Sequence, residues 1–140
     1  MQPKMTVEEL QGFLSVEFPQ VADTYLVEAV GPMTCRLRMR PSERHLRPGN
    51  TISGPALFSL ADCSVYLALL AMIGPEALAV TTNASIDFMR KPTAGQELLA
   101  DATLLKLGRV LAVGDVLVRS VGSSDVVARA TLTYSIPPKA

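Results

Sequence analysis

One charged side chain, Asp62, stands alone between Arg47 and Glu76, in the middle of the run Ile52–Ile73, ISGPALFSLADCSVYLALLAMI. Removing an unpaired carboxylate from water is costly, so Asp62 needs either a hydrogen-bonding partner or a cavity that admits water or substrate. A carboxylate held in this way can take a proton from water or attack an electrophilic carbon itself. The other reactive side chains have less support. His45, the only histidine, lies in PSERHLRPGNTIS among proline, arginine and glutamate, the setting of a solvated loop residue. Ser59 lacks the G-x-S-x-G elbow that would present a nucleophile. Cys63 and Ser64 adjoin Asp62, but a helical cysteine without a nearby base reads as core. One histidine and no paired Cys or His spacing leave no basis for a metal site.

The element that must position Asp62 is a helix. The run is apolar on nearly every face, opened by Gly54-Pro55 and closed by Gly74-Pro75, which reads as a helix buried all round. Pro55 suits the first turn, where its missing N–H has no partner to lose. A membrane span is the competing reading of the same residues. Asp62 would then sit near the bilayer midplane, Ser53, Ser59 and Ser64 add polarity, and neither flank carries a cluster of Lys or Arg. The buried helix is the reading that survives.

The chain of 140 residues is one domain in length, and its hydrophobic fraction of 49% excludes disorder. Thirteen basic residues balance thirteen acidic ones, so no electrostatic footprint for nucleic acid or an anionic membrane exists. Without tryptophan and with few aromatics, a stacking platform for single strands is equally unsupported. The opening MQPKMTVEEL has no apolar core of a secretory signal, so the expectation is a cytoplasmic protein in which Cys35 and Cys63 stay as free thiols.

Thr6-Val7-Glu8-Glu9 has the form of a capping box and predicts a short helix from Val7 to about Phe18, burying Leu10, Phe13, Leu14 and Phe18 on one side. Thr24–Val30 and Met33–Arg40 read as strands joined at Gly31-Pro32. In the second, Met33, Cys35, Leu37 and Met39 alternate with Thr34, Arg36, Arg38 and Arg40, and such a row of arginines suits either phosphates or a solvated face. Four further strands are expected at 78–89, 96–107, 110–120 and 126–135, with turn-type breaks at RKPTAG, Gly108-Arg109 and VGSSD that imply antiparallel neighbours. Gly114 permits a bend or bulge in the third of these. Six strands and one all-apolar helix imply an α+β architecture: a long, curved antiparallel sheet wrapped around the helix, with a short N-terminal helix beside it. One sheet cannot enclose a helix, so the rest of its surface, including part of the Asp62 side, must face a second copy or a ligand.

These residues resemble a known family. SGPALFSLAD, then TTNASIDFMRKPTAGQELLADATLLKLGRVLAVGDVLV, then VVARATLTYSI are similar to hotdog-fold acyl-coenzyme A thioesterases of the phenylacetate-pathway type, over about residues 20 to 136 of a single domain spanning 1–140. In that family a histidine and two glycines open the helix, and an acid eight positions after the first glycine is the catalytic carboxylate. The resemblance therefore implies that Gly54 supplies the oxyanion-hole N–H and Asp62 the carboxylate, the same aspartate that its isolation selects. The chain departs from the pattern at four places: Ser53 replaces the histidine, Pro55 the second glycine, Arg47 the loop Asn or Gln, and Asn50 a loop glycine. Arg47 is suited to donate to the thioester oxygen, to grip a coenzyme A phosphate, or to pair with Asp62 and silence it. Tyr66 stands one turn after Asp62, where relatives often carry a small hydroxyl residue; its phenol would orient water or its ring would narrow the acyl pocket. By position, Arg90, with Lys91 beside it, and Arg109 resemble the cations that hold the nucleotide end in relatives, and as surface charges at strand ends they also need no function.

Gly54 and Asp62 are eight residues apart, about 12 Å along a helix axis, too far to act on one carbonyl. If both are catalytic they come from different chains, which implies a homodimer or a dimer of dimers, as the family is built. The resulting expectation is hydrolysis of an aryl or medium-chain acyl-coenzyme A thioester, by general-base or anhydride chemistry, with no cofactor, no nucleic acid and no membrane. The alternative is a non-catalytic hotdog protein that binds an acyl-coenzyme A or related ligand, which the loss of the histidine, Arg47 and Pro55 favours. Hydratase activity fits poorly, because RHLRPGN does not supply the Asp-x-Asn-Pro-x-His arrangement of hotdog hydratases.

Overall fold

A computed structural model describes residues 2–138. The capping box forms as the sequence predicts: Thr6 Oγ1 accepts from the Glu9 N–H and the Glu9 carboxylate accepts from the Thr6 N–H, starting α1, Val7–Glu17. Leu10 and Leu14 are fully buried beneath it, while Phe18, expected to join them, is 40% exposed because the helix ends one residue earlier and turns it outward. The strands follow as β1, Tyr25–Gly31; β2, Thr34–Met39; the two-residue strands β3, Leu46–Arg47, and β4, Thr51–Ile52; β5, Val80–Phe88; β6, Leu98–Leu107; β7, Leu111–Ser120; and β8, Val126–Ser135. The long helix α2 spans Gly54–Ile73.

The six long strands form one antiparallel sheet in the order β1-β2-β6-β7-β8-β5. The break at RKPTAG is therefore not a hairpin. β5 crosses to the far edge and pairs with β8, so β5 and β6 are consecutive in the chain and remote in the sheet. The sheet wraps α2, whose every residue from Cys63 to Met72 is buried. α2 is long and apolar enough to cross a membrane by composition, yet its apolar surface is already covered by protein. The inward rows of the strands do this covering: Cys35, Leu37 and Met39 on β2, Leu98, Ala100 and Ala102 on β6, and Ala128, Ala130, Leu132 and Tyr134 on β8. The arrangement is the hotdog fold.

Gly114 matters for proximity. A Cβ there would lie 3.0 Å from Val65 Cγ1 of α2, and the register irregularity falls on the opposing strand, between Leu104 and Lys106. The outward arginines of β2 do not await phosphates: Arg36 pairs with Asp101 at 2.7 Å, and Arg38 bridges Glu28 and Glu97. Asp101 is the direct cross-strand partner of Arg36 on β6, Glu28 lies on β1, and Glu97 immediately precedes β6.

The two sheet edges differ. On β1 the Gln11 side chain of α1 donates from Nε2 to Tyr25 O at 3.1 Å and accepts the Val27 N–H at 2.8 Å, closing the edge. Among the described residues nothing does this for β5, none of whose nine residues is buried.

Candidate active site

Asp62 sits near the middle of α2 at the wall of a cleft of about 400 Å³. Its Oδ1 accepts two hydrogen bonds, from Thr81 Oγ1 and from the Tyr134 hydroxyl, each 2.6 Å long. The same phenol donates at 3.1 Å to the Asp62 main-chain oxygen. Both donors are delivered by the sheet. Thr81 near the start of β5 and Tyr134 near the end of β8 are direct cross-strand partners, and the pairing slips just after Thr81, between Thr81 and Asn83. Tyr134 points inward because it continues the buried row of β8. Among the described residues, Oδ2 accepts no hydrogen bond.

The rest of the cleft is made by α1, β1 and the segment after α2. Phe18, Val21, Ala77 and Val80 give apolar walls, Glu17 and Gln20 lie at the N-terminal side, and Tyr25, Ser59, Cys63 and Tyr66 complete the lining. Tyr25 OH and Ser59 Oγ are 2.7 Å apart. Tyr66 donates to Ala77 O at 3.1 Å, so its phenol proton is not free to orient water, and its ring is wedged between Phe13 and Tyr134 at centroid separations of 6.3 and 6.0 Å. It narrows the cleft. Burial is the first cause that pushes the Tyr66 phenol up to about 12 and holds those of Tyr25 and Tyr134 well above their ordinary value. For Tyr134 the adjacent Asp62 charge adds to burial. The Cys63 thiol is likewise pushed up by burial and then by Asp62, so at neutral pH it is protonated and no nucleophile.

Gly54 is the first residue of α2, and Ser53 is its N-cap, accepting the Ala56 N–H at 3.3 Å. Gly54 is not part of the Asp62 cleft; the Phe88 ring borders it, 3.3 Å from where a Cβ would stand. Arg47 is exposed on β3, and within the chain it does not reach Asp62, whose carboxylate partners are Thr81 and Tyr134. The β3–β4 hairpin is tied to the loop after β5: Ile52 N–H donates to Pro92 O at 2.9 Å and Ala94 N–H to Asn50 O at 3.0 Å. These bonds join the hairpin that carries Arg47 to the segment that directly follows Arg90 and Lys91, and the hairpin leads into the α2 N-terminus. Arg90 also approaches Asp125 at 3.8 Å. Arg109 is exposed on the β6–β7 turn at the opposite end of the strands, beyond the Leu111–Ser135 pair. His45 is half-buried and its Nδ1 accepts the Ser42 N–H at 2.8 Å; burial and the neighbouring Arg44 lower its affinity for a proton.

The isolation of Asp62 in the sequence singles it out, whereas neither hydroxyl that holds it is marked in the same way. Thr81 opens a run of three polar residues, Thr81-Thr82-Asn83, on β5, with no pattern to single it out. Tyr134 did carry a signal, as the one residue with a polar tip on the inward row of VVARATLTYS.

Comparison with known proteins bears on the family and the fold. The sequence model of the family described as the thioesterase superfamily matches residues 49–131. Among solved structures, a protein of Silicibacter sp. TM1040 provisionally named a thioesterase is 53% identical, with a TM-score of 0.91 over 99% of this chain and 96% of that one. The phenylacetic acid degradation protein PaaI of Thermus thermophilus, solved in a mutant form, is 28% identical, with a TM-score of 0.74 over 85% of this chain and 99% of its own. A Streptococcus mutans protein solved with acetyl coenzyme A shares the fold at 24% identity and a TM-score of 0.74, over 82% and 90% of the two chains. No curated protein matches the chain.

Proposed function

This chain belongs to the thioesterase superfamily, and from that premise we propose that it hydrolyses an aryl or medium-chain acyl-coenzyme A thioester to the free acid and coenzyme A. The observation that carries the reading is the state of Asp62: Oδ1 is held by two hydroxyls, while Oδ2 is left for water or substrate in the cleft. As a general base, Oδ2 takes a proton from the water that attacks the thioester carbon and returns it to the departing sulfur. In the second route Oδ2 attacks directly and water opens the resulting anhydride.

Either route builds negative charge on the carbonyl oxygen, and a helix N-terminus suits it. The Gly54 N–H of the same copy lies about 12 Å away along α2, so a second copy supplies it. The free edge at β5, set against a β1 edge already closed by Gln11, supports pairing of two copies through β5 into a dimer or a dimer of dimers. Arg47 and Arg90 near the Gly54 end of one copy, with Arg109 from the other end of its partner, are the cations for the coenzyme A phosphates, and Ser53 keeps the helix start in shape beside them. Tyr66 limits the acyl group. The acetyl coenzyme A in the Streptococcus mutans protein supports a coenzyme A ester as a ligand that this fold accommodates. The chemistry needs no metal or organic cofactor.

The test is release of free thiol from phenylacetyl-, benzoyl-, hexanoyl- and octanoyl-coenzyme A. Asp62→Asn keeps an oxygen for Thr81 and Tyr134 and so keeps the fold, while kcat falls by about 10²–10⁴. Equal rates in both proteins defeat the assignment. A flat assay together with calorimetric binding of these esters would favour a ligand-binding protein instead.

A further inference from the structure

Five hydroxyls line the Asp62 cleft, and they differ in what their protons already do. Tyr134 and Thr81 donate to Asp62, and Tyr66 donates to Ala77 O. Tyr25 and Ser59 share one hydrogen bond of 2.7 Å and own two protons, so among these five hydroxyls this pair keeps a proton for the cleft, on the α2 side where Asp62 stands. Burial keeps the Tyr25 phenol protonated, and a phenol is a better donor than an aliphatic alcohol, so Tyr25 donates to Ser59 and the spare proton is that of Ser59. Ser64, farther along the helix, donates back to Ala61 O at 2.7 Å; Ser59 makes no bond to its own helix.

We propose that Ser59, held by Tyr25, is the positioning residue that orients the attacking water against Asp62. The inference rests on the hydrolytic reading above. Ser59 and Asp62 are three residues apart on α2, on one face, with Cβ atoms about 5–6 Å apart, a gap that one water spans. That water accepts from Ser59 Oγ–H and gives one proton to Asp62 Oδ2. Its remaining lone pair bonds to the thioester carbon. On collapse of the tetrahedral adduct the C–S bond breaks, the proton on Asp62 passes to sulfur, and the acid and coenzyme A thiol leave. Ser59 gives up no proton in the cycle, which makes it a positioning rather than a catalytic residue.

The experiment compares wild type with Ser59→Ala, Tyr25→Phe, their combination and Ser59→Thr, using whichever of the four thioesters the wild type cleaves fastest. Ser59→Ala lowers kcat tenfold or more at unchanged KM; Tyr25→Phe also lowers kcat; the double variant is no worse than Ser59→Ala; Ser59→Thr recovers most of the rate. A Ser59→Ala protein with wild-type kcat overturns the proposal, as does a loss confined to KM or multiplicative losses in the double variant. If Ser59→Ala does not fold, the kcat of Tyr25→Phe decides. A wild type that releases no thiol defeats the hydrolytic reading itself, whereas Asp62-dependent turnover that ignores Ser59→Ala defeats only the positioning role.

Discussion

Replacing Tyr134 by phenylalanine removes a single oxygen from the candidate site and leaves the ring, 3% exposed, in its packing. That oxygen donates to Asp62 Oδ1 at 2.6 Å and to the Asp62 main-chain oxygen at 3.1 Å. The second acceptor already lies within the hydrogen bonding of α2, so the loss falls mainly on the carboxylate. A hydrogen bond to a charged acceptor contributes about 1.5–3 kcal/mol, and for a domain of this size each kcal/mol moves Tm by about 4 °C. Tyr134→Phe should therefore melt about 6–12 °C below wild type, read by circular dichroism because the chain has no tryptophan. With Thr81 as its sole anchor the carboxylate samples more rotamers, and about 1.4 kcal/mol of lost positioning lowers kcat about tenfold. In an Asp62→Asn background the acceptor is neutral and the same substitution costs only about 0.5–1.5 kcal/mol, so the double-mutant cycle should show coupling near 1 kcal/mol. A Tyr134→Phe protein with wild-type Tm and kcat, or a cycle with no coupling, would refute the view that this phenol holds the carboxylate.

Gly114→Ala places a Cβ 3.0 Å from Val65 Cγ1 and 3.2 Å from its Cγ2, and such overpacking between β7 and α2 should cost about 1–3 kcal/mol in urea denaturation; an unchanged midpoint would show that the helix has room to move. All three tyrosines are held above the ordinary phenol value near 10, Tyr66 at about 12. Above pH 10 the unfolded chain releases protons that the native one keeps, so their contribution is intact below pH 10 and falls by about 1.4 kcal/mol per pH unit for each tyrosine as pH rises through the window toward the native values. Phenolate absorbance should accordingly appear in step with alkaline unfolding; a separate rise near pH 10 with the fold intact would contradict the burial. Cys35 and Cys63, both buried with their thiols pushed up, should stay silent to a chromogenic disulfide until urea unfolds the chain, leaving the coenzyme A assay free of background.

The primary structure alone determined the two helices and the six long strands, and it singled out one side chain for the site. The capping box at Thr6, the alternation of β2 and the glycine–proline brackets of α2 are local patterns with local physical causes, and each formed within a residue or two of its expected bounds. Asp62 was legible because a solitary charge in an apolar helix is expensive wherever the helix sits. Only the tertiary structure decided which edge β5 would occupy, since nothing in RKPTAG distinguishes a hairpin from a crossover. It alone brought Thr81 and Tyr134, 53 residues apart in the chain but paired across two strands, onto one carboxylate oxygen, and set the Tyr25 hydroxyl against that of Ser59. Hydrogen-bond partnership between distant residues depends on strand order and register, and those are settled by how the whole sheet closes over the helix rather than by any single stretch of sequence.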